Sequence, residues 1–297
     1  MTHTLPLDVL ACPVCRTALT AESGALTCAN CGARYNMVGP VIDLVPSDMQ
    51  TRLRDGGDAA WSRWREAIRG LEQWRAKQAP DSGRGFDDGT SERAIRALFE
   101  RAKVAGTVVD VGAKDGGKSR LMKDVTRYVG VDPFASHAVG LAENAVVVRG
   151  MAEALPLRGR VADAVVSISA FDYFHDGFNA LEEMARVLKP NGRLAMLVSV
   201  VTSTVAHARG GRTRWSRLTS GVRAARDVGV TAAAGLVGTA LLERDRAHTH
   251  YYTRNQVTSM VGVKFEIEGI EESRQPASTI LYIHARKKRT ARLPVLT

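Results

Sequence analysis

The chain has 297 residues, of which 45% are hydrophobic and 24% charged, and this composition excludes a disordered or fibrous protein. The length fits two domains. The longest weakly polar stretch, 228–242, is too short to cross a bilayer. No export signal is recognisable at the start, so we expect a cytoplasmic protein. The net charge of +10 is uneven, because residues 1–50 carry two basic and four acidic side chains whereas residues 201–297 carry 16 basic and seven acidic ones.

Two pairs of cysteines lie near the start of the chain. Cys12 and Cys15 form one Cys-x-x-Cys pair, Cys28 and Cys31 form the other, and 12 residues separate them. Four thiolates at this spacing can converge on one tetrahedral Zn²⁺ with no position left for water, so we predict a structural zinc site. A redox pair, or cysteines without metal, is the alternative interpretation.

The sequence around these cysteines resembles a known family. The segments 7–15, 26–35 and 39–46 are similar to the Trm112-like zinc ribbon, most specifically in the cysteines and the closing Pro-Val-Ile-Asp-Leu strand. The resemblance implies a small zinc ribbon at 1–46 that supports a methyltransferase, in this chain as a fused domain.

A polar linking segment follows at 47–103, with two predicted helices at 59–79 and 91–102. Ser91 is a candidate N-cap for the second. The first carries an apolar stripe at helical spacing, made of Trp61, Trp64, Ile68 and Leu71. Such a stripe usually packs a helix against a neighbouring domain, and contact with a ligand is the alternative.

Residues 104–287 alternate short apolar strands with helical stretches. The predicted strands are 107–113, 128–132, 145–149, 162–170 and 193–200, and the predicted helices are 117–126, 136–144 and 177–188. This alternation predicts an α/β domain with a doubly wound, mostly parallel sheet. A helix near 253–261 precedes two further strands, 265–272 and 279–285, which predict an antiparallel hairpin at the sheet edge. An insert at 201–247 and a basic tail at 288–297 complete the chain.

The turn after the first of these strands is the predicted cofactor site. Gly112 and Gly116 allow the backbone to bend tightly and to approach a ligand closely. Asp132 follows at the end of the second strand, where a carboxylate can accept hydrogen bonds from both ribose hydroxyls. An adenosine-containing cofactor explains this set best, although a plain turn and a helix N-cap are the alternatives for the single residues.

Four motifs of this domain resemble the class I S-adenosylmethionine-dependent methyltransferases of the type 11 group. They are 108–116, 129–132, 150–156 and 185–194. The resemblance implies methyl transfer from S-adenosylmethionine. It assigns Asp110, Gly112 and Gly116 to the methionine part of the cofactor, Asp132 to the ribose, and Met151 and Ala152 to the adenine edge. The sequence departs from the family at Lys114, which replaces the middle glycine, and at Met151, which replaces an acid that Glu153 substitutes only in part.

The loop 171–176, after the fourth strand, is expected to face the methyl group. Its candidate catalytic residues are Asp172, Tyr173 and His175. His175 is the best proton acceptor, because imidazole titrates near neutral pH, and an exposed loop histidine is the alternative. His248 and His250 can also reach this region, with a surface role as their alternative.

The function expected from these features is methyl transfer from S-adenosylmethionine to a small-molecule, sugar or lipid-linked acceptor, by O-methylation. The insert has six arginines and no acid between 201 and 226, which fits a lid, contact with an anionic membrane surface, or a solvated face. An rRNA base methyltransferase is an alternative, but RNA binding by the ribbon would require a basic ribbon. A non-catalytic binding protein is the third, because Lys114 and Met151 depart from the family.

Overall fold

The computed structural model describes residues 5–22, 24–38, 41–78, 92–135, 144–200, 250, 252–275 and 278–289. The insert 201–247, His248, the tail from residue 290, all but the last residue of the predicted helix 136–144, and the side chain of Leu71 lie outside this description. Within the described ranges, no helix combines the length and the apolar character that a membrane span requires.

The N-terminal part is a small antiparallel sheet, with the strands in the order β1-β2-β3-β4. They are β1 (Thr20–Glu22), β2 (Ala25–Thr27), β3 (Arg34–Val38) and β4 (Val41–Ile42). Leu19, Leu26, Tyr35 and Ile42 are buried beneath these strands. The rest of the sheet surface is largely exposed, and these buried residues belong to the same apolar cluster as the larger sheet described below.

Three helices follow, namely α1 (Ser47–Asp55), α2 (Ala59–Gln78) and α3 (Glu92–Ala102). α1 ends because Gly56 adopts a left-handed conformation, with φ of 96°. Asp58 begins α2, since its side chain accepts hydrogen bonds from the N–H groups of Ala60 and Trp61. The predicted helix at 59–79 is therefore present as α2, and Trp61, Trp64 and Ile68 are buried as its stripe predicts.

The larger sheet has seven strands in the described part of the chain, in the order β10-β11-β9-β8-β5-β6-β7. They are β5 (Gly106–Val111), β6 (Val125–Val131), β7 (Ala145–Val148), β8 (Ala162–Ile168), β9 (Leu188–Val200), β10 (Phe265–Arg274) and β11 (Thr279–Lys287). The five strands from β7 to β9 are parallel, whereas β11 and β10 form an antiparallel hairpin at the edge. The predicted fold class is confirmed.

Helices cover both faces of this sheet. α4 (Gly177–Val187) and α5 (Arg254–Lys264) pack on one face, together with apolar residues of the N-terminal module. α3 packs on the other through Ile95, Leu98 and Phe99. Ligands of open α/β sheets bind at the carboxyl ends of the strands, which are here the ends of β5, β6 and β8.

The predicted helix at 117–126 is wrong, because the chain there makes one short 3₁₀ turn, Gly117–Leu121. β6 begins at Val125 rather than at Tyr128 and pairs with β5 from Gly106 onward, so the strand takes residues that the helix would need. Leu121 packs against α3 instead. β9 also begins earlier than predicted, directly after α4, with a register shift against β8 between Ala162 and Ala164.

Backbone pairing joins the N-terminal module to the larger sheet. Arg149, at the end of β7, donates its N–H to Ile42 and accepts from Leu44, both at 2.9 Å. Asp43 thereby pairs in parallel with Arg149, and Leu10 pairs antiparallel with Leu157. The two parts also share one hydrophobic core. The residues that follow β4 are thus joined by a single parallel bridge to the residue that follows β7, while the domain boundaries given above stay predictions.

Candidate active site and metal site

The four cysteine sulfurs of the N-terminal module lie within 4.8 Å of one another. Cys12 Sγ is 3.6 Å from Cys31 Sγ, and Cys15 Sγ is 3.4 Å from Cys28 Sγ. A tetrahedral Zn²⁺ with Zn–S bonds of about 2.3 Å holds its sulfurs roughly 3.8 Å apart. The structure therefore brings together the four predicted ligands in an arrangement that fits zinc. All four protein ligands are thiolates, so the ion would serve the fold.

Tyr35 supports this site from β3. Its hydroxyl lies 3.2 Å from Cys12 Sγ, within the buried part of the module. A phenol that donates to a thiolate fixes the sulfur and reduces its charge, and hydrogen bonds of this kind orient metal ligands in proteins. Burial, together with this contact, raises the pKa of Tyr35 well above its ordinary value, so the hydroxyl keeps its proton.

The turn after β5 combines three left-handed residues. Gly112, Lys114 and Gly116 have φ angles of 81°, 57° and 78°. A Cβ atom at Gly112 would lie 2.3 Å from the Cβ of Ala170, so glycine is required there by contact as well as by conformation. Lys114 holds the conformation that glycine adopts without strain. The turn therefore keeps its left-handed backbone conformation although a lysine, and not a glycine, stands at position 114.

Asp132 lies at the end of β6, directly beside this turn. One carboxylate oxygen accepts the N–H of Lys114 and the other accepts the N–H of Phe134, both at 2.9 Å. The two amides therefore fix the carboxylate against the turn.

Asp110 is fully buried beneath the turn. Its Oδ2 accepts a hydrogen bond of 2.7 Å from the hydroxyl of Tyr128, and its Oδ1 is buried with no hydrogen-bond partner among the described residues. Burial raises the pKa of Asp110, against the lowering effect of the nearby Lys118. The structure therefore brings Asp110, Gly112, Gly116 and Asp132 together at one strand end.

Met151 and Ala152 follow β7 and are also buried, with exposed fractions of 2% and 5%. Met151 packs in one apolar cluster with Trp61, Trp64 and Ile68 of α2. The side chain assigned to the adenine edge is therefore covered by the linking helix rather than open to solvent.

The loop between β8 and α4 is held by the same helix. Trp61 stacks on the imidazole of His175, with ring centroids 4.1 Å apart and planes at 20°. The indole N–H of Trp64 donates a 2.7 Å hydrogen bond to the carbonyl of Tyr173. His175 Nε2 is buried and has no hydrogen-bond partner within the described ranges. Burial lowers the pKa of His175, although Asp176 opposes the shift, so the neutral imidazole is favoured.

Other ionisable groups converge on this loop. His250 donates its N–H to the carbonyl of Asp172 at 3.0 Å, and its ring stacks on Tyr252. Glu153 accepts the N–H of Asp176 at 3.0 Å, and burial raises the pKa of Glu153. The structure thus places His250 near the predicted catalytic residues, as the sequence suggested it could be.

Two residues that sequence reasoning did not single out connect the metal site to this region. Arg16, next to Cys15, contacts Glu183 of α4 at 3.0 Å and donates to the carbonyl of Leu155 at 3.2 Å. Glu183 in turn accepts the N–H of Leu155 at 2.9 Å. The available signal was the place of Glu183 on the apolar face of α4, three residues after Ala180 and four before Val187.

Two family profiles match the chain. The profile named "Methyltransferase domain" matches residues 109–196, which contain the turn, Asp132 and the loop after β8. This chain is a methyltransferase. Its methyl donor is S-adenosylmethionine, and the profile named "Trm112p-like protein" matches residues 5–36, so the ribbon is fused to the enzyme. A comparison with curated proteins gave no match.

Solved structures share the fold of the methyltransferase. SpnF, a [4+2]-cyclase, is 15% identical, with 76% of this chain and 96% of SpnF covered and a TM-score of 0.53. The N-methyltransferase NodS from Bradyrhizobium japonicum, solved with S-adenosylhomocysteine, is 13% identical over 74% and 99% of the two chains, with a TM-score of 0.47. A third structure is the complex between the Haloferax volcanii Trm112 methyltransferase activator and a candidate methyltransferase. It is 17% identical, with 76% of this chain and 98% of that chain covered and a TM-score of 0.47. At such identities the likeness to SpnF shows the fold alone.

Proposed function

We propose that the enzyme methylates a hydroxyl group of a small-molecule, sugar or lipid-linked acceptor. The observation that carries this proposal is the buried Nε2 of His175, which has no hydrogen-bond partner in the described part of the chain. A hydroxyl must lose its proton when it attacks a methyl group, and a neutral imidazole is a suitable acceptor. The lowered pKa of His175 keeps it neutral at pH 7.

When bound, S-adenosylmethionine supplies an electrophilic methyl group on a sulfonium. The residues of this chain hold and orient it. In the proposal, Asp132 accepts the ribose hydroxyls, the 112–116 turn lies against the methionine part with Asp110 beneath, and the backbone at Met151 and Ala152 contacts adenine. These assignments use side chains that meet at the ends of β5, β6 and β7, where a ligand of this fold binds.

The loop after β8 aligns the acceptor in the same proposal. The bound cofactor would supply the methyl group, and His175 would take the proton of the acceptor hydroxyl that replaces sulfur on it. Asp172 and Tyr173 line the path of the acceptor next to it. Alignment in a site without water supplies most of the rate in such a displacement, and α2 covers this region.

A small acceptor is favoured over RNA by the charge of the ribbon. Residues 1–50 carry two basic and four acidic side chains, whereas a surface that binds RNA is basic. The basic insert 201–247 would contact the anionic group of a lipid-linked acceptor or a membrane surface. A cytoplasmic place suits four cysteines that bind metal as thiolates.

The first test measures methyl transfer by the zinc-loaded full chain, using S-adenosylmethionine with an isotope-labelled methyl group. The acceptors are phenols, sugars and lipid-linked sugars, with rRNA fragments and free amines in parallel reactions. We expect a methyl ether as the product. Labelled rRNA or a methylated amine would contradict the proposal, and absence of S-adenosylmethionine binding in calorimetry would favour the non-catalytic alternative.

The second test addresses the proton acceptor. His175→Gln should lower kcat by about 10² to 10⁴ fold, which is the usual contribution of a general base, while S-adenosylhomocysteine affinity stays within twofold. Arg63→Lys, on the exposed face of α2, is the matched control. A normal kcat in His175→Gln would remove this residue from the mechanism.

A further inference from the structure

The indole of Trp64 reaches residues that follow three different strands. Its ring lies 6.0 Å from that of Phe134, after β6. It packs in one cluster with Met151, after β7, and its N–H donates to the carbonyl of Tyr173, after β8. β5 lies between β6 and β8 in the sheet. The residues that Trp64 contacts therefore follow strands on both sides of β5, the strand that leads into the 112–116 turn.

Trp61 adds a second contact to the same loop. One face of its ring stacks on His175, and the guanidinium of Arg52, from α1, lies 5.7 Å from its centroid. Both tryptophans are nearly buried, with exposed fractions of 4% and 6%. Two adjacent residues of one stripe thus fix the backbone at Tyr173 and the ring plane of His175.

The ribbon holds the other end of this helical segment. β4 is bonded to Arg149 through Ile42 and Leu44, and the chain then passes through Val45 and Pro46 into α1. Val45 is fully buried in the cluster that contains Trp61 and Trp64. The segment from α1 to α2 is therefore anchored at the sheet edge by the ribbon and fixed at its far side by the two tryptophans.

We propose that Trp61 and Trp64 are positioning residues of the methyl transfer, which fasten α1 and α2 over the cofactor and set the orientation of the loop containing Tyr173 and His175. This inference rests on the proposed function, because it takes the cofactor to lie between Asp132, the 112–116 turn and the indole of Trp64. Exchange of S-adenosylhomocysteine for fresh cofactor then requires the tryptophans to leave the loop. The tryptophans then contact the loop and leave it once in each catalytic cycle.

The first experiment measures the dissociation rate of S-adenosylhomocysteine by stopped flow. Trp64→Phe keeps an aromatic ring but loses the N–H that bonds Tyr173. We expect dissociation to be at least tenfold faster, with the unfolding midpoint in urea and the zinc content close to those of the unchanged protein. Arg63→Lys, next to Trp64 on the exposed face of α2, should change neither rate nor midpoint. A change below twofold in Trp64→Phe would overturn the inference.

The second experiment follows the imidazole of His175 by NMR titration. Trp61→Leu removes the ring that stacks on it, so water reaches the imidazole and its pKa should rise toward about 6.5, the ordinary value for histidine. A helix that merely packs elsewhere would leave this titration unchanged. An unaltered pKa of His175 in the folded variant would therefore refute the role given to Trp61.

A measurement on the unchanged protein covers the case in which a variant does not fold. Hydrogen exchange of residues 59–70 should slow at least tenfold when S-adenosylhomocysteine is bound, because the cofactor fills the space beneath the helix. Binding without slower exchange of 59–70 would overturn the positioning role while leaving the proposed function intact. Failure to bind S-adenosylhomocysteine at all would instead overturn the proposed function, and this inference with it.

Discussion

Arg16 joins the ribbon to the enzyme, and its substitution offers a quantitative test of how tightly the two parts are coupled. Its guanidinium contacts Glu183 at 3.0 Å, and the two side chains are 33% and 11% exposed. Glu183 also accepts two hydrogen bonds from Arg186, at 2.7 and 2.8 Å. Arg16→Met keeps the long apolar stem and removes the charge and the contacts of the guanidinium.

The loss that we expect in the free energy of unfolding depends on which contacts remain in each variant. A hydrogen bond to a charged group contributes about 1.5 to 3 kcal/mol, and partial exposure of Arg16 reduces this to about 1 to 2 kcal/mol. Arg186 still neutralises Glu183 in Arg16→Met. Glu183→Met instead leaves Arg16 and Arg186, both partly exposed, without their acid, so we expect a larger loss than in Arg16→Met but less than the roughly 3 to 5 kcal/mol of a fully buried pair.

Urea unfolding of the zinc-loaded chain measures both values, and the double variant completes a cycle. Because the two residues touch, Arg16→Met should be less costly by at least about 0.5 kcal/mol when Glu183 is already replaced. Arg34→Met, at an exposed position of β3, is the control and should stay within roughly 0.5 kcal/mol of the unchanged protein. Equal losses for Arg16→Met and Arg34→Met, or additive losses in the cycle, would refute the coupling described here.

Three further predictions concern the turn and the metal site. Lys114→Gly should raise the free energy of unfolding by about 1 kcal/mol, because the left-handed conformation strains a side chain; a loss of stability in urea would contradict this. Burial raises the pKa of Asp110, so its folded state loses stability as pH rises from about 3.9, the unfolded value, through the raised one. Asp110→Asn should therefore flatten this fall of stability above about pH 4, and an unchanged slope would refute the assignment. Chelation of zinc should unfold the ribbon and lower the thermal midpoint of the whole chain, as followed by calorimetry, since the two parts share one core; an unaltered methyltransferase transition would show that they are independent.

The sequence predicted those features that depend on local patterns. Cysteine spacing predicted the cluster of four sulfurs, the apolar strands predicted the mostly parallel sheet, and the stripe of Trp61, Trp64 and Ile68 predicted the buried face of α2. Each of these depends on residues a few positions apart. The helix predicted at 117–126 failed for a non-local reason, because pairing of β6 with Gly106 takes up the residues from Val125 onward.

The surroundings of the predicted site residues could not be derived from the sequence, and their roles stay predictions. The carboxylate at the end of β6 was expected, whereas its bonds to the amides of Lys114 and Phe134 depend on how the turn folds back. Burial of His175 against Trp61 joins residues more than a hundred positions apart, and so does the contact of Arg16 with Glu183. No spacing rule covers such distances, since the three-dimensional packing of separate elements decides them.

The backbone pairing of residues 42–44 with Arg149 means that removal of the first 46 residues would leave part of the methyltransferase domain uncovered. An enzyme shortened to begin at α1 would lack Ile42 and Leu44. The backbone N–H and C=O groups of Arg149, which these two residues now bond, would then be exposed to water. Exposed backbone groups at the edge of a sheet can pair with strands of other molecules. We therefore expect the ribbon to protect this end of the sheet from pairing with other molecules, in addition to binding its metal.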